Sequence, residues 1–249
     1  MKMNRECMLR YGNEDFDKDY MNWGFDDEEE QLFIATQMLS IFEQQGSDII
    51  DIACGLSRYH KIWLQNGYHV TGIDVSKTFI EQSKHNNRDY PNSNYIVQDI
   101  NHINNNNQFD IATWIDPIEI TAKPVRNIFQ LLRSGGMFIY EMWNENFGKL
   151  KHRYTFNKTW SLENGIYTLI RHEYNHATST IEHEETYINT MTDEITIKYI
   201  HSQTVSTHCT RELFIAAGFD RIEMTTWDGK PFDPIDDTTK RFLMIGHKN

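Results

Sequence analysis

The stretch Ile49-Ile50-Asp51-Ile52-Ala53-Cys54-Gly55-Leu56-Ser57 limits what this chain can fold into more than any other. A short β-branched run reads as a strand buried on both faces, and it breaks at once into small residues. From Tyr59 to Asn66, apolar side chains fall at Tyr59, Ile62 and Trp63, a helical spacing that ends at Gly67. A second strand, Tyr68 to Ile73, stops at Asp74. Strand, small-residue turn, helix, strand, carboxylate: this order is the first half of a nucleotide-binding α/β fold.

The pattern then repeats. Ser76 opens a helix through Phe79, Ile80 and Ser83 that ends near Asn86, and Tyr95 to Gln98 is a third strand ending at Asp99. Phe109 to Ile115 is a fourth strand, broken by Asp116-Pro117. A helix from Lys123 to Leu132 leads through Ser134-Gly135-Gly136 to a fifth strand, Met137 to Glu141. Upstream, the acidic run Asp26 to Glu30 suits a helix N-terminus. The helix predicted over 27–44 buries Leu32, Phe33, Thr36, Leu39 and Phe42. The aromatics before it, among them Tyr11, Tyr20 and Trp23, are either staples onto the core or a lid over a ligand.

Between Thr155 and Thr207 the period changes from helical to two, with turn signals at Glu163-Asn164-Gly165, Ala177-Thr178-Ser179 and Thr192-Asp193. That predicts three or four antiparallel strands inserted into the α/β unit. The α/β pattern resumes with a helix from Thr210 to Phe219, closed by Gly218, and two strands, Arg221 to Trp227 and Arg241 to His247. The expected fold is α/β, a doubly wound, seven-stranded, mostly parallel sheet with an antiparallel last strand, plus an inserted antiparallel β patch. By this reading residues 1–45 are an N-terminal lid and helix, 46–148 with 208–249 the core, and 149–207 the insertion.

Charge and cysteine content narrow the function. With 36 acidic against 24 basic residues the net charge is −12, which disfavours nucleic-acid phosphates and anionic lipid as partners. No run of about 18 apolar residues occurs, so no transmembrane helix is predicted. The first residues lack the apolar stretch of a signal peptide, and Cys7, Cys54 and Cys209 are too scattered for a disulfide framework. The expectation is a cytoplasmic protein, monomer or homodimer. His172, His176 and His183 lie in the insertion, where a hairpin turning near Thr178 brings His172 close to His183. Their spacing lacks the matched pairs of a metal site, so no metal is expected and a solvated strand face accounts for them.

Two nucleotide classes fail on the turn itself. Aligned on Ala53 and Gly55, the last glycine of the dinucleotide fingerprint falls on Arg58, too large for the close helix packing that glycine permits. A phosphate loop ending in Gly-Lys-Ser/Thr is absent. The turn resembles motif I of the class I S-adenosylmethionine-dependent methyltransferases, Asp/Glu-x-Gly-x-Gly-x-Gly, read here as Asp51, Ala53, Gly55 and Ser57. Two glycines are replaced by the next smallest residues, and Cys54 matches a residue common at that place. Asp74, Asp99 and the Leu-x-x-Gly-Gly within Leu131 to Gly136 extend the resemblance, and the insertion is similar to that of a small-molecule subgroup in which it roofs the acceptor pocket.

The resemblance implies S-adenosylmethionine as cofactor, methyl transfer to nitrogen or oxygen of a small-molecule acceptor, and S-adenosylhomocysteine as product. It implies cofactor contacts from Asp51, Ala53, Cys54, Gly55, Arg58, Asp74, Val75, Ser76, Asp99, Ile100 and Trp114. Asp74 would take both ribose hydroxyls and Asp99 the adenine amine. Read as residues alone, Asp74 could instead cap the next helix, Asp99 could form a turn before Asn101, and Asp116-Pro117 could simply start one. Asp116, Glu119 and Glu141 are the candidates facing the transferred methyl, and Tyr11, Tyr20, Trp23, Trp143 and Asn144 the candidates for the acceptor. Cys54 has no paired base near it and is not read as a nucleophile. Two alternatives stay open: another enzyme type on the same cofactor, such as a lyase or cyclase, and a non-catalytic partner subunit.

Overall fold

The computed structural model describes residues 2–7, 28–43, 46–103, 107–115, 117, 120–144, 155–161, 166–175, 180–192, 194–203, 206–233, 239 and 241–249. One sheet has seven strands. In chain order they are β2 (Asp48–Ile52), β3 (His69–Asp74), β4 (Ser93–Val97), β5 (Phe109–Trp114), β6 (Leu132–Trp143), β11 (Arg221–Thr225) and β12 (Arg241–His247). Their order across the sheet is β11-β12-β6-β5-β2-β3-β4, and β12 runs antiparallel to both neighbours. The remaining pairs are parallel. This is the predicted doubly wound sheet.

Alternation along β2 sorts its isoleucines to opposite faces. Ile50 and Ile52 join a core with Val125, Ile128 and Leu131 of α4 (Ala122–Leu131) and Phe214 of α5 (Thr207–Ala217). Ile49 joins a second core with Ile34, Met38 and Phe42 of α1 (Glu28–Phe42) and with Trp63 and Leu64 of α2 (His60–Gln65). Helices therefore cover both faces, which is why β2 carries buried isoleucines on each of them.

The buried face of α1 differs from the predicted one. Ile34, Ala35, Met38 and Phe42 face the sheet, whereas Leu32 and Phe33 are 56% and 50% exposed and Thr36 lies outside. Two overlapping apolar stripes fit this helix, and α2 selects between them. Ala35 is small enough for the Trp63 indole to donate to its carbonyl at 3.3 Å, and Phe42 meets Trp63 edge-on at 5.3 Å. The start of β6 differs too. Pairing with β5 begins at Leu132, shifts register between Phe109 and Ile111, and resumes at Met137. The Ser134-Gly135-Gly136 segment thus forms an irregular lead-in rather than a separate turn.

The second sheet holds β7 (Thr155–Ser161), β8 (Ile166–Asn175), β9 (Thr180–Asn189) and β10 (Glu194–Gln203), antiparallel in sequence. Its fifth strand, β1 (Lys2–Cys7), pairs in parallel with β10. Nothing in its polar sequence signals a strand; the free edge of β10 supplies the pairing. His172 and His183 are register partners across β8 and β9, with side chains outside the described residues. No described helix is long and apolar enough to cross a membrane.

Candidate functional site

Ligands of open α/β sheets bind beyond the carboxyl ends of the strands, where strand order reverses. Here that point is β2, whose neighbours β3 and β5 lead to opposite edges of the sheet. The turn leaving β2 has a distinctive backbone: Ala53, Gly55 and Ser57 have φ of 53°, 51° and 55°. Glycine adopts this left-handed region freely, whereas alanine and serine each give up about 1 kcal/mol to do so. The glycine pattern is therefore preserved as backbone shape where two glycines are gone.

Several bonds hold the turn in that shape. Cys54 N donates to Ile73 O at 3.0 Å, Gly55 N to Asp74 Oδ2 at 2.9 Å, and Ser57 N to Cys54 O at 2.9 Å. The Ser83 hydroxyl of α3 (Lys77–Asn86) donates to Gly55 O at 3.0 Å. Above Gly55 there is room: a methyl group placed there would meet nothing within 4 Å. The Ser57 hydroxyl turns beneath the turn, donating to Leu56 O and accepting from Asn87 Nδ2 at 3.0 Å. Neither the Ala53 methyl nor that hydroxyl enters the space over Gly55.

Asp74 is buried at the end of β3, where Oδ1 accepts from Ser76 N at 2.8 Å and Oδ2 from Gly55 N. Ser76 caps α3 by accepting from Phe79 N at 3.1 Å. Gln98 N donates to Asp74 O at 2.8 Å, which draws the ends of β3 and β4 together. Asp99 Oδ1 accepts from Asn101 N at 2.8 Å, so this residue does form the turn that the sequence offered as its alternative. Val75 is exposed beside Asp74, Ile100 is buried, and Arg58 is half-buried at the exit of the turn.

Beneath the turn lies a buried polar chain that the sequence did not disclose. Asp51 accepts from the Thr113 hydroxyl at 2.5 Å through Oδ1 and meets His60 Nε2 at 2.8 Å through Oδ2. His60 Nδ1 is 3.0 Å from the Tyr95 hydroxyl. The signal available was a histidine at position 60, three and four residues before Trp63 and Leu64, on the stripe α2 buries. Burial pushes the Tyr95 hydroxyl well above its ordinary pKa. Burial, then the carboxylates of Asp51 and Asp74, push the Cys54 thiol up as well, which keeps it neutral and unreactive.

Four predicted contacts take other places. Both Asp51 oxygens are engaged below the turn, so its carboxylate does not face the crevice. The Trp114 ring packs in the core, edge-on to Tyr140 at 5.8 Å. Glu141 is fully buried and ion-paired with Arg241 Nη1 at 3.1 Å; β12 lies beside β6 and brings that guanidinium to it. Asn144 is also buried and donates to Thr239 O at 2.9 Å. Tyr11, Tyr20, Trp23, Asp116 and Glu119 lie outside the described residues, as does the Trp143 side chain. No cluster of three or more His, Cys, Asp or Glu among the described residues could hold a metal ion.

Residues 50–140 match the family described as a methyltransferase domain. A ubiquinone biosynthesis O-methyltransferase of Coxiella burnetii is 31% identical over 118 residues, covering 44% of this chain and 50% of that protein. The chain thus spans about half the length of that curated relative. Among solved structures, an S-adenosylmethionine-dependent methyltransferase from Clostridium acetobutylicum matches with TM-score 0.72 at 12% identity, over 94% of this chain and 99% of its own. An amino pentose methyltransferase from Micromonospora echinaspora, solved with S-adenosylmethionine bound, matches with TM-score 0.66 at 14% identity, over 97% and 98%. Residues 50–140 thus match a methyltransferase domain, and the sheet around them has the Rossmann-like fold of the solved S-adenosylmethionine-dependent methyltransferases.

Proposed function

We propose that this protein transfers a methyl group from S-adenosylmethionine to nitrogen or oxygen of a small-molecule acceptor. The observation that carries the proposal is the turn over Gly55, left-handed at three alternate positions, tied to Asp74 and open above. A phosphate-free cofactor needs that close backbone approach rather than a ring of phosphate donors. When bound, S-adenosylmethionine supplies an electrophilic methyl on a sulfonium sulfur for in-line displacement by the acceptor.

The protein's own residues bind and align. Asp74, at the end of β3 and bonded to the turn through Gly55 N, takes the two vicinal ribose hydroxyls. Ala53, Cys54, Gly55 and Arg58 present the turn to the methionine moiety, while Val75, Ser76, Asp99 and Ile100 border the adenine. Asp51 and Trp114 act from behind, as support for the turn and the strand ends. Alignment and exclusion of water supply most of the acceleration in such a displacement. Where the acceptor must lose a proton, Asp116 and Glu119 are the groups assigned to take it, because Glu141 is already neutralised by Arg241. Tyr11, Tyr20, Trp23 and Trp143 are assigned to the acceptor side, whereas the Asn144 amide is engaged by Thr239 O. The net charge of −12 favours a neutral or cationic acceptor in the cytoplasm over nucleic acid or membrane, and the protein works as a monomer or homodimer.

Calorimetric titration with S-adenosylhomocysteine tests the reading, and no heat at high micromolar ligand would overturn it. Asp74→Ala is expected to weaken that binding by about tenfold or more, the loss of hydrogen bonds from a charged acceptor. An unchanged affinity would remove Asp74 from the site.

A further inference from the structure

We propose that His60 is the positioning residue of the cofactor turn, bracing it from below through Asp51 and Tyr95. The inference rests on the S-adenosylmethionine reading of that turn. Residues 51 and 60 bracket the turn in sequence: Asp51 is the penultimate residue of β2 before it, and His60 is the first residue of α2 after it. Their bond at 2.8 Å ties the two ends together across its base. Thr113 of β5 holds the other Asp51 oxygen, and Tyr95 of β4 holds the far nitrogen of His60. The brace is therefore anchored to strands on both sides of the point where strand order reverses.

One Asp51 oxygen accepts from the Thr113 hydroxyl, the other meets His60 Nε2, and His60 Nδ1 meets the Tyr95 hydroxyl, so both ring nitrogens are engaged. The ring itself is locked. It is fully buried, stacked on Tyr95 at 5.6 Å and 15° and on Trp63 at 5.3 Å and 30°. Gly72 makes room for this packing, since a methyl there would stand 2.8 Å from the Cys54 sulfur and 2.9 Å from the Tyr95 ring. His60 N also donates to Ser57 O at 3.1 Å, which links the brace to the last left-handed residue. An all-glycine turn would hold its shape at little cost. With Ala53 and Ser57 in the left-handed region, an independent clamp has a clear physical purpose.

The test compares His60→Leu with His60→Gln. Leucine fills the site but leaves Asp51 buried without its donor, whereas glutamine keeps one N–H within reach of Asp51. His60→Leu is expected to bind S-adenosylhomocysteine about tenfold more weakly, and His60→Gln to recover to within about threefold of the parent. Hydrogen exchange on the ligand-free proteins gives a second readout, with faster exchange confined to a peptide spanning residues 51–60 in the leucine variant and restored in the glutamine one. Equal binding and equal exchange in parent and leucine variant would overturn the proposal, and so would a loss that glutamine fails to rescue. If the parent itself gives no heat, the cofactor reading fails while the exchange comparison still decides the brace. Should the leucine variant not fold, Tyr95→Phe removes only the hydroxyl that orients the ring. Faster exchange in that same peptide would then support the brace, and unchanged exchange would reject it.

Discussion

Gly55 is the residue at which binding and stability separate. Its φ of 51° lies in the left-handed region, and the space above it is open. Gly55→Ala therefore meets no steric clash in the free protein and gives up only about 1 kcal/mol of backbone preference. That corresponds to a melting-temperature fall of roughly 2–4 °C for a chain of this size. The same methyl would stand in the space proposed for the methionine moiety, so S-adenosylhomocysteine affinity is expected to fall by more than about tenfold. Thermal melts beside calorimetry check this, and a large melting shift with intact binding would reverse the assignment. Ser57 shows how a non-glycine residue is accommodated: its hydroxyl is used below the turn, where Asn87 donates to it.

At the scale of elements, the amino ends of the strands are joined by charge, away from the crevice. Arg133 Nη1 lies 2.8 Å from Asp48 Oδ2 and 2.7 Å from Asp110 Oδ1, joining β2, β5 and β6. Asp110 Oδ2 in turn accepts from Ser47 N and Asp48 N. Burial alone would raise the Asp48 carboxyl, but Arg133 and then His69 outweigh it and hold it below its ordinary value. A carboxyl depressed in the folded state stabilises above its unfolded pKa and loses that contribution as pH falls through the folded one. Arg133→Met is therefore expected to lower stability by about 1 kcal/mol at pH 7, the scale of a partly exposed network. The gap should close as pH falls through the folded-state value of Asp48, which Arg133 and His69 hold below the ordinary carboxylate range. Denaturant titrations at several pH values measure it, and a gap constant with pH would assign the effect to packing. Lys248 works similarly at the last turn of α4, its ammonium donating to Phe129 O at 2.9 Å and Leu132 O at 2.6 Å.

On the scale of the whole molecule, the two sheets are hydrogen-bonded separately, and β1 belongs to the one formed by the insertion. Removing residues 1–7 is expected to leave the seven-stranded sheet and its proposed cofactor turn intact, with S-adenosylhomocysteine affinity within about threefold. The freed edge of β10 would then offer unpaired backbone groups to another chain, so light scattering should show association that the full chain lacks. Loss of binding without association would instead tie the first residues to the turn itself.

Local sequence alone determined the succession of elements and much of the crevice. The β-branched run before Ala53, the Ser76 cap, the carboxylate ending β3 and the glycine closing α5 each act within a few residues, where periodicity and capping leave little choice. The insertion was equally legible, because a period of two survives whatever the strands pack against. Tertiary structure decided what depends on distant partners. Two stripes of α1 were nearly equivalent until Trp63 packed on Ala35, and β1 became a strand only beside β10. Glu141 reads as a free carboxylate until Arg241, a hundred residues on, reaches it. His60 reads as one polar residue on a short helix. Its role emerges only when β4 and β5 bring Tyr95 and Thr113 under the same turn, since a buried hydrogen-bond chain is defined by the groups that converge on it rather than by any one segment.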